Sequence, residues 1–368
     1  MALELWTQRE LIGIRRDMRL ERPTDFWRKT FFGGAAHFSK NKEIHFGEIT
    51  GNRAMAPFAL PSHLGKPIFK DRGVKLESFL PGYIKLLDAV RPEDATTVTP
   101  EELLTGNQLD MNARFDLRTA EISRQHLEAI YRTWDWMCAR AIIDGKVVIK
   151  YDVDQGQAHP EVTIDFGRDA AHTVVYTAGN DWSDPNLDIF DHVQSWIDVG
   201  RKAKFGGSFN RMIVGANVAP YFQANKSILD KLSTQIRGGE GTTFTRGLQY
   251  YSEDNNTPTY LGTLGGNGGA MEVYTYSDQQ IDDAGNLIEV LDPNDVLLTA
   301  GGVEGLMAFG AIYDLQAIGA GSGGGARTDI FQKQYVNDNP SQLNMLSQSA
   351  PLPIPRYPNR TLKATVLA

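Results

Sequence analysis

The segment from residue 43 to residue 90 has the pattern of an extended, two-sided arm that no single compact domain could bury. Strand-like runs at Lys42–Ile49 and Gly73–Val90 enclose a stretch interrupted by Pro57, Pro61, Gly65 and Pro67. Apolar and polar residues alternate through Val74, Leu76 and Phe79, which is the period of a half-buried strand. A ribbon of this length is marginal alone in water, and its free edges must be covered. We therefore expect another copy of the same protein to cover it.

The rest of the chain is large enough to form a body for this arm. Its 368 residues suffice for two or more compact subdomains, and 41% hydrophobic residues argue against wholesale disorder. A single cysteine, Cys138, excludes an intrachain disulfide and predicts folding in a reducing compartment. The start, Met1–Glu4, lacks a leader pattern, and no apolar run approaches the length of a membrane span. We expect neither secretion by a signal peptide nor insertion into a membrane.

Charge is distributed unevenly along the chain. Residues 1–42 hold nine Lys and Arg against five Asp and Glu, whereas the other residues hold 28 against 40. One interpretation is an ordinary solvated surface with a basic N-terminal arm. The other is a basic arm that docks on acidic neighbours, with an acidic body that avoids tight binding to nucleic acid.

The N-terminal part contains a helix signal and an aromatic patch. Thr7 and Glu10 fit a capping box, which predicts a short helix to about Leu20. Residues 26–32 then place four aromatic side chains, Phe26 and Trp27 among them, beside three polar or charged residues. These aromatic residues either plug the core or anchor the arm on another subunit, because aromatic side chains favour the centres of interfaces.

The strongest helix signal runs from about Leu117 to Ile143. Its apolar residues recur at spacings of three and four, and Asp144-Gly145 ends it. Strands are predicted at Lys146–Tyr151, His159–Phe166 and His172–Thr177, which together with the helix indicate an α+β layer domain. The remaining predictions are helices at Ser183–Lys202 and Pro220–Ile236 and strands at Arg211–Val218, Met271–Gln280, Leu287–Leu291, Val296–Thr299, Leu306–Ile312 and, after a proline-rich tail, Thr361–Leu367.

Fragments that imitate active-site motifs fail on their context. Glycines 262–269 lead into a strand rather than a helix, so we interpret them as a loop and not a phosphate cradle. Ser322 sits in a glycine-rich stretch without the helix that a nucleophile elbow requires. Asp152 and Asp154 begin like a calcium loop, but Thr163 stands where that loop needs a glutamate. His126 lies on the apolar helix face, which favours a hydrogen-bonded core residue over a catalytic base. We expect no catalytic, cofactor or metal site.

Three stretches, in this order, resemble the phage major capsid protein E family, the shell proteins of lambda-like tailed phages. They are Arg72-Gly73 with Phe79–Lys85, then Val273–Gln279 with Asp292–Asp295 and Phe309–Asp314, and finally Gln348–Leu352. Each stretch is weak alone, but their order spans nearly the whole chain. Within the first, Pro81-Gly82 predicts a sharp reversal, and Tyr83 supplies a flat anchor with a polar tip.

The resemblance implies an α+β, HK97-like capsid fold. It implies an N-terminal arm at 1–42, an extended E-loop hairpin at 43–90, a P-domain at 91–177 and 346–368 with the long helix and a sheet, and an A-domain at 178–345. The E-loop would lie over a neighbouring subunit. The candidate subunit-interface residues are Arg72, Phe79, Pro81, Gly82, Tyr83, Lys85, Phe26 and Trp27.

The same resemblance implies a structural virion protein rather than an enzyme. The expected partners are copies of itself in homo-pentamers and homo-hexamers, a scaffold, a portal and a decoration protein. The shell would enclose double-stranded DNA without sequence-specific binding, would involve no membrane, and would be assembled in the host cytoplasm. An encapsulin-like nanocompartment shell is the alternative with the same fold, and a β-rich hydrolase is a remote one.

Overall fold

A computed structural model of the chain describes residues 6, 10–11, 25–41, 43–49, 74–96, 110–150, 161–177, 179–229, 244–246, 258–266, 269–281, 285–316 and 328–367. The α-helices that lie wholly within these residues are α1 (Phe26–Phe31), α2 (Pro92–Thr96), α3 (Met111–Ile143), α4 (Ile189–Lys202) and α5 (Val218–Ala224), and residues 10–11, 226–229 and 315–316 are also helical. The strands are β1 (His37–Phe38), β2 (Ile44–Ile49), β3 (Val74–Phe79), β4 (Ile84–Val90), β5 (Lys146–Ile149), β6 (Val162–Asp165), β7 (Thr173–Val175), β8 (Phe209–Gly215), β9 (Phe244–Arg246), β10 (Thr259–Gly266), β11 (Gly269–Tyr276), β12 (Gln279–Ile281), β13 (Leu287–Glu289), β14 (Asp295–Ala300), β15 (Gly305–Phe309), β16 (Phe331–Asp338), β17 (Ser341–Ser349), β18 (Pro351–Pro355) and β19 (Thr361–Thr365).

The long helix α3 forms where the sequence predicts it but begins two turns earlier. Asp110 caps its first turn by accepting a hydrogen bond from the Met111 amide at 2.9 Å. The first residues of α3 are partly buried or exposed, and none of residues 111–116 is fully buried, so they carry no continuous apolar stripe from which their helicity could be predicted. The helix ends at Ile143, as predicted, and Gly145 follows with a φ of +68°.

A mixed sheet in the order β7-β19-β14-β8-β11-β10-β9 forms the centre of the body. Alternate residues of β8 point to opposite faces, so Met212 and Val214 join one apolar core while Ile213 joins another. Helix α4 packs on the first face through Trp196, and α3 packs on the second through Trp134. Burial on both faces explains why β14 is an unbroken buried run rather than an alternating one.

A second sheet, in the order β16-β17-β4, was only partly foreseen. The predicted run Gly73–Val90 divides into β3, which pairs with β2, and β4, which pairs with β17. Strands β16 and β17 were not predicted, because Gln, Ser and Asn share their buried positions with apolar residues and interrupt the apolar alternation. The predicted domain boundary between residues 345 and 346 falls inside β17.

The proline-rich tail is a strand, not an irregular segment. β18 pairs antiparallel with β15, and β1 pairs with the other edge of β15. The Gly310 amide donates to the Ala350 carbonyl at 2.8 Å. This bond determines which residues of β18 direct their backbone groups toward β15, because hydrogen-bonded and non-hydrogen-bonded pairs alternate along an antiparallel ladder. In this arrangement, the nitrogens of Pro351, Pro353 and Pro355 face away from β15, where no donor is required. This placement is how a strand tolerates proline.

Other predicted elements shift in position. Gly262, Gly265 and Gly266 lie inside β10 rather than in a loop. Helix α4 begins at Ile189 instead of Ser183, because the Asp188 side chain caps it by accepting from the Phe190 amide at 2.9 Å. The hairpin predicted around residues 282–286 forms as β12 and β13. The capping box and helix predicted from Thr7, the calcium-like segment at Asp152, the segment of Ser322 and the interface candidate Arg72 lie outside the described residues, apart from Glu10 and Leu11, which are helical.

Candidate assembly site at the base of the extended ribbon

The two-stranded ribbon of β2 and β3 is fixed to the body at its base. Its antiparallel register runs from Ile44 opposite Phe79 to Ile49 opposite Val74. Ile44 is buried with Ile164, and Phe79 is partly buried against the same cluster. The ribbon therefore leaves the body with a defined start, and residues 50–73 continue from its far end.

The link between the ribbon and the second sheet does not reverse direction as predicted. Residues 80–83 contain neither a hydrogen-bonded turn nor a bend, and Gly82 has no positive φ. Pro81 and Gly82 are buried, and a Cβ at Gly82 would lie 3.4 Å from Cδ1 of Ile149. The prediction of a reversal is wrong because β3 and β4 belong to different sheets, so the chain passes from one to the other without doubling back.

Tyr83 anchors this link through a polar network. Its hydroxyl donates to Oε1 of Gln348, whose Nε2 lies 3.4 Å from Oδ2 of Asp314. Nζ of Lys333 reaches the same carboxylate oxygen at 2.5 Å. The Tyr83 ring packs against the buried cluster of Ile312 and Phe331. Tyr83 thus packs through its ring and its polar tip on its own chain, and its predicted contact with a neighbouring subunit stays a prediction.

The electrostatics of this network keep its hydrogen bonds intact near neutral pH. Burial and the nearby Asp314 charge raise the pKa of Tyr83, so its hydroxyl stays a donor. Burial alone would raise the pKa of Asp314, but the hydrogen bond and charge of Lys333 outweigh it and lower that pKa. Lys85, beside Tyr83, is exposed to solvent.

The aromatic patch of the arm lies in the core of its own chain. Trp27 is completely buried, stacks on Phe31 at 5.8 Å between ring centroids, and meets Tyr276 edge-on at 5.3 Å. Phe26 is half-buried and lies 5.4 Å from the Tyr276 ring. The core interpretation thus holds for Trp27, whose side chain has no surface left for a second subunit. A contact between Phe26 and a neighbour stays a prediction.

A buried polar layer joins α3 to the second sheet. Nδ1 of His126 lies 2.9 Å from Oγ of Ser347, and Nε2 lies 2.8 Å from Oδ2 of Asp88. Gln332 donates through Nε2 to Ser347 Oγ and to Ser123 Oγ, both at 3.1 Å. The prediction that His126 is a hydrogen-bonded core residue is confirmed. Its strand partners were missed because both are polar and neither is local: Asp88 is 38 residues away along the chain and Ser347 is 221 residues away.

The order Ser347, His126, Asp88 superficially resembles a serine nucleophile with its base and orienting acid. Ser347 is 0% exposed, and its hydroxyl also accepts from Gln332, so no substrate can reach that oxygen. The arrangement works instead as a fully satisfied polar contact between a helix and a sheet.

Three remaining features of the described residues concern metal binding, the single cysteine and membrane crossing. Among them, no three His, Cys, Asp or Glu side chains are placed to hold a metal ion together. Cys138 is buried, as predicted, and lies beside Met307. No helix in the described part of the chain combines the length and apolar character that crossing a bilayer demands.

The chain has an HK97-like α+β fold, the fold of phage shell subunits. This fold is defined by an N-terminal arm, a projecting ribbon, a long helix packed against a mixed sheet, and a closing C-terminal strand. The model of the family described as phage major capsid protein E matches residues 10–366, and the chain belongs to that family.

Comparison with individual proteins agrees with this assignment. The major capsid protein of Escherichia phage lambda is 24% identical over 325 residues, covering 88% of this chain and 89% of the relative. The major capsid protein of Escherichia phage N15 is 24% identical over 327 residues with the same coverage. A solved structure described as a capsid protein of a prophage of E. coli CFT073 superposes with a TM-score of 0.68 at 19% identity, covering 99% of this chain and all of that one.

Proposed function

We propose that this protein is the head-shell subunit of a tailed phage, which assembles with copies of itself into pentamers and hexamers of an icosahedral shell around double-stranded DNA. The observation that carries the proposal is the ribbon. Among the described strands, β2 and β3 pair only with each other. Their outer edges therefore carry backbone N–H and C=O groups that can form hydrogen bonds with a further strand. A shell subunit meets that need with a neighbouring copy.

The division of the chain into functional parts follows from the same proposal. Residues 1–42 act as the N-terminal arm and 43–90 as the E-loop. Residues 91–177 and 346–368 form the P-domain, and 178–345 form the A-domain, which points to the centre of each ring. The arm and ribbon supply adaptable contacts, while the two-faced central sheet stays rigid. Rings of five and six need this combination, because one surface must accept slightly different angles.

The interface candidates divide by position. Exposed Lys85 and half-exposed Phe79 present surface to a neighbour, whereas Pro81, Gly82 and Tyr83 hold the ribbon base from inside the chain. Arg72 makes an intersubunit ion pair near a three-fold junction. Modest contacts of this kind become strong in a closed shell, because every subunit makes them several times over.

The proposal extends to the setting of the shell. Scaffold and portal proteins guide assembly in the host cytoplasm, a decoration protein binds outside, and the finished subunit resides in the virion. The net charge of −8 suits a container for DNA, because a lining that held phosphates tightly would oppose packing and release. The subunit performs no catalysis in this role.

Electron microscopy and sedimentation of the purified full-length chain test the proposal. We expect closed shells or ring-shaped capsomers, and a protein that stays monomeric at high concentration would contradict it. Arg72→Ala should leave the thermal unfolding of the monomer unchanged but lower the yield of shells. The matched variant Arg72→Lys keeps the charge and should retain more assembly. Normal shells from Arg72→Ala would contradict the proposed intersubunit ion pair of Arg72.

A further inference from the structure

The arm helix α1 receives its N-terminal cap from another helix. The residue at its own N-cap position, Asp25, accepts no side-chain hydrogen bond from a backbone amide of the first turn. The amide of Arg28, the third helical residue, donates instead to Oδ1 of Asp135 on α3 at 2.8 Å. This is the amide that a capping side chain ordinarily satisfies. The contact therefore ties the folding of the arm helix to its docking on α3.

Asp135 is an isolated acid in this position. It is 0% exposed, and its second oxygen, Oδ2, has no hydrogen-bond partner. The Arg28 guanidinium is engaged elsewhere: it binds both oxygens of Asp25 at 3.2 and 2.7 Å and lies over the Tyr131 ring at 5.2 Å. An anion at Asp135 would thus lack a cation of its own.

Among the described ionisable groups around Asp135, Arg28 is the cation, and its charge is the smallest of the influences on the Asp135 pKa because it is paired with Asp25. Asp25 and Arg28 face it from the arm, Tyr276 and Asp278 from the end of β11, and Cys138 from its own helix. Two of these groups are acids, so they repel a negative charge on Asp135. The Arg28 amide favours the charge but is a single neutral donor.

Burial, aided by the charges of Asp25 and Asp278 and opposed by the Arg28 amide, raises the pKa of Asp135 to about 7. With the arm undocked, water reaches this carboxyl and its pKa returns toward 3.8. Asp135 thus holds a proton while the arm is docked and loses that proton when the arm is released. Docking is strongest below both pKa values and weakens as the pH rises through about 7.

We propose that Asp135 is a proton-dependent latch: its neutral carboxyl holds the arm helix on α3, and deprotonation favours release of the arm. The ordinary solvated carboxylates of the surface have no such effect, because they lose no hydration when the arm docks. The latch lies entirely within one chain, so it does not depend on how shells are built.

Hydrogen exchange of α1 amides in the full-length protein, measured by mass spectrometry and corrected for intrinsic rates, tests the latch. Protection of α1 in the unassembled wild type should fall about tenfold between about pH 6 and pH 8, while protection of α4 stays constant. Asp135→Asn keeps the acceptor and the shape without the charge, so its α1 protection should not change over this range. A flat wild-type profile, or a wild-type profile that survives in Asp135→Asn, would overturn the proposal.

Two further variants keep the test decisive if Asp135→Asn folds poorly. Asp278→Asn removes a repelling charge, so the pH at which α1 loses protection should move downward. Asp88→Asn alters an acid that also contacts α3 but is 65% exposed, and it should leave the α1 profile unchanged. A midpoint that does not move in Asp278→Asn, or that moves equally in both variants, would also overturn the latch.

Discussion

At the scale of single residues, Lys363 joins three elements through buried charge. Its Nζ lies 2.8 Å from Oδ2 of Asp295 on β14 and 3.3 Å from Oδ1 of Asp144 at the end of α3. Burial alone would lower the pKa of Lys363, but these two carboxylates outweigh it and raise that pKa. Asp295 is almost completely buried, so it depends on Lys363 and on the Thr365 hydroxyl at 2.6 Å.

Lys363→Met should reduce the free energy of unfolding by about 3 kcal/mol, because it leaves a buried carboxylate without its cation. The measurement is urea denaturation at neutral pH. Lys150→Met is the matched control: its ion pair with Glu161 is 3.8 Å long, both side chains are well exposed, and the expected loss is about 0.5 kcal/mol or less. Equal losses in the two variants would show that burial does not determine the strength of the Lys363 pairs.

At the scale of elements, the docking of the arm depends on a glycine in β15. A Cβ at Gly305 would lie only 2.2 Å from Cδ1 of Phe32, which is itself buried. Gly305 has no positive φ, so its requirement for glycine comes from the ring alone. The arm and β15 are therefore matched in shape as well as paired through β1.

Gly305→Ala should cost about 2 kcal/mol, because the new methyl group displaces Phe32 from its site. Phe32→Ala alone should cost about 3 kcal/mol by leaving a cavity. In the double variant the methyl group has room, so the two losses should fall short of their sum by at least about 1 kcal/mol. Denaturant titration of the four proteins measures this coupling.

Gly301→Ala is the control for glycine replacement in the same region. Its Cβ would make an ordinary 3.4 Å contact with Nδ2 of Asn210, so the expected loss is within about 0.5 kcal/mol. Additive losses for Gly305→Ala and Phe32→Ala would contradict the steric account of the arm contact.

A helix or strand could be predicted from the sequence where the spacing of its own apolar residues shows which of its faces is buried. Helix α3 has an apolar stripe and a clear stop at Asp144-Gly145, so its existence and its end were correct. Strands β16 and β17 could not be predicted, because their buried Gln332 and Ser347 become acceptable only beside His126 on a helix 200 residues earlier. Tertiary hydrogen bonds thus stabilise these two strands, and the local sequence pattern does not show such bonds.

The candidate site divides in the same way. The paired strands of the extended ribbon followed from residue types, whereas the contact of Tyr83 with Gln348 within the same chain did not. The direction of the chain at Pro81-Gly82 did not, because it depends on β3 and β4 joining different sheets. The capping of α1 by Asp135 left no sequence signal, since the cap and the helix are separated by more than 100 residues.

At the scale of the whole molecule, the central sheet and the ribbon differ in how they are covered. The central sheet is covered on both faces by its own helices, and β1 together with β18 covers both edges of β15. Strands β2 and β3 have no described strand neighbour beyond each other, as is also true of β5 with β6 and of β12 with β13, and the ribbon joins the core at its base through Ile44 and Phe79. Folding of the body and use of the ribbon should therefore be separable experimentally.

Replacing residues 50–73 by Asn-Gly should separate folding from assembly. Ile49 and Val74 stand directly opposite each other at the end of the described register, so a two-residue turn can close the hairpin there. The shortened chain should keep the thermal unfolding of the monomer, because Ile44 and the ribbon base remain packed on the body. It should form no closed shells in electron micrographs, since the segment that we propose to reach a neighbour is gone. A second sample, with wild-type chain added in excess, should give shells from which the shortened chain is excluded. Normal shells built from the shortened chain alone would show that neighbours are joined elsewhere, and the ribbon would lose its place in the proposed assembly.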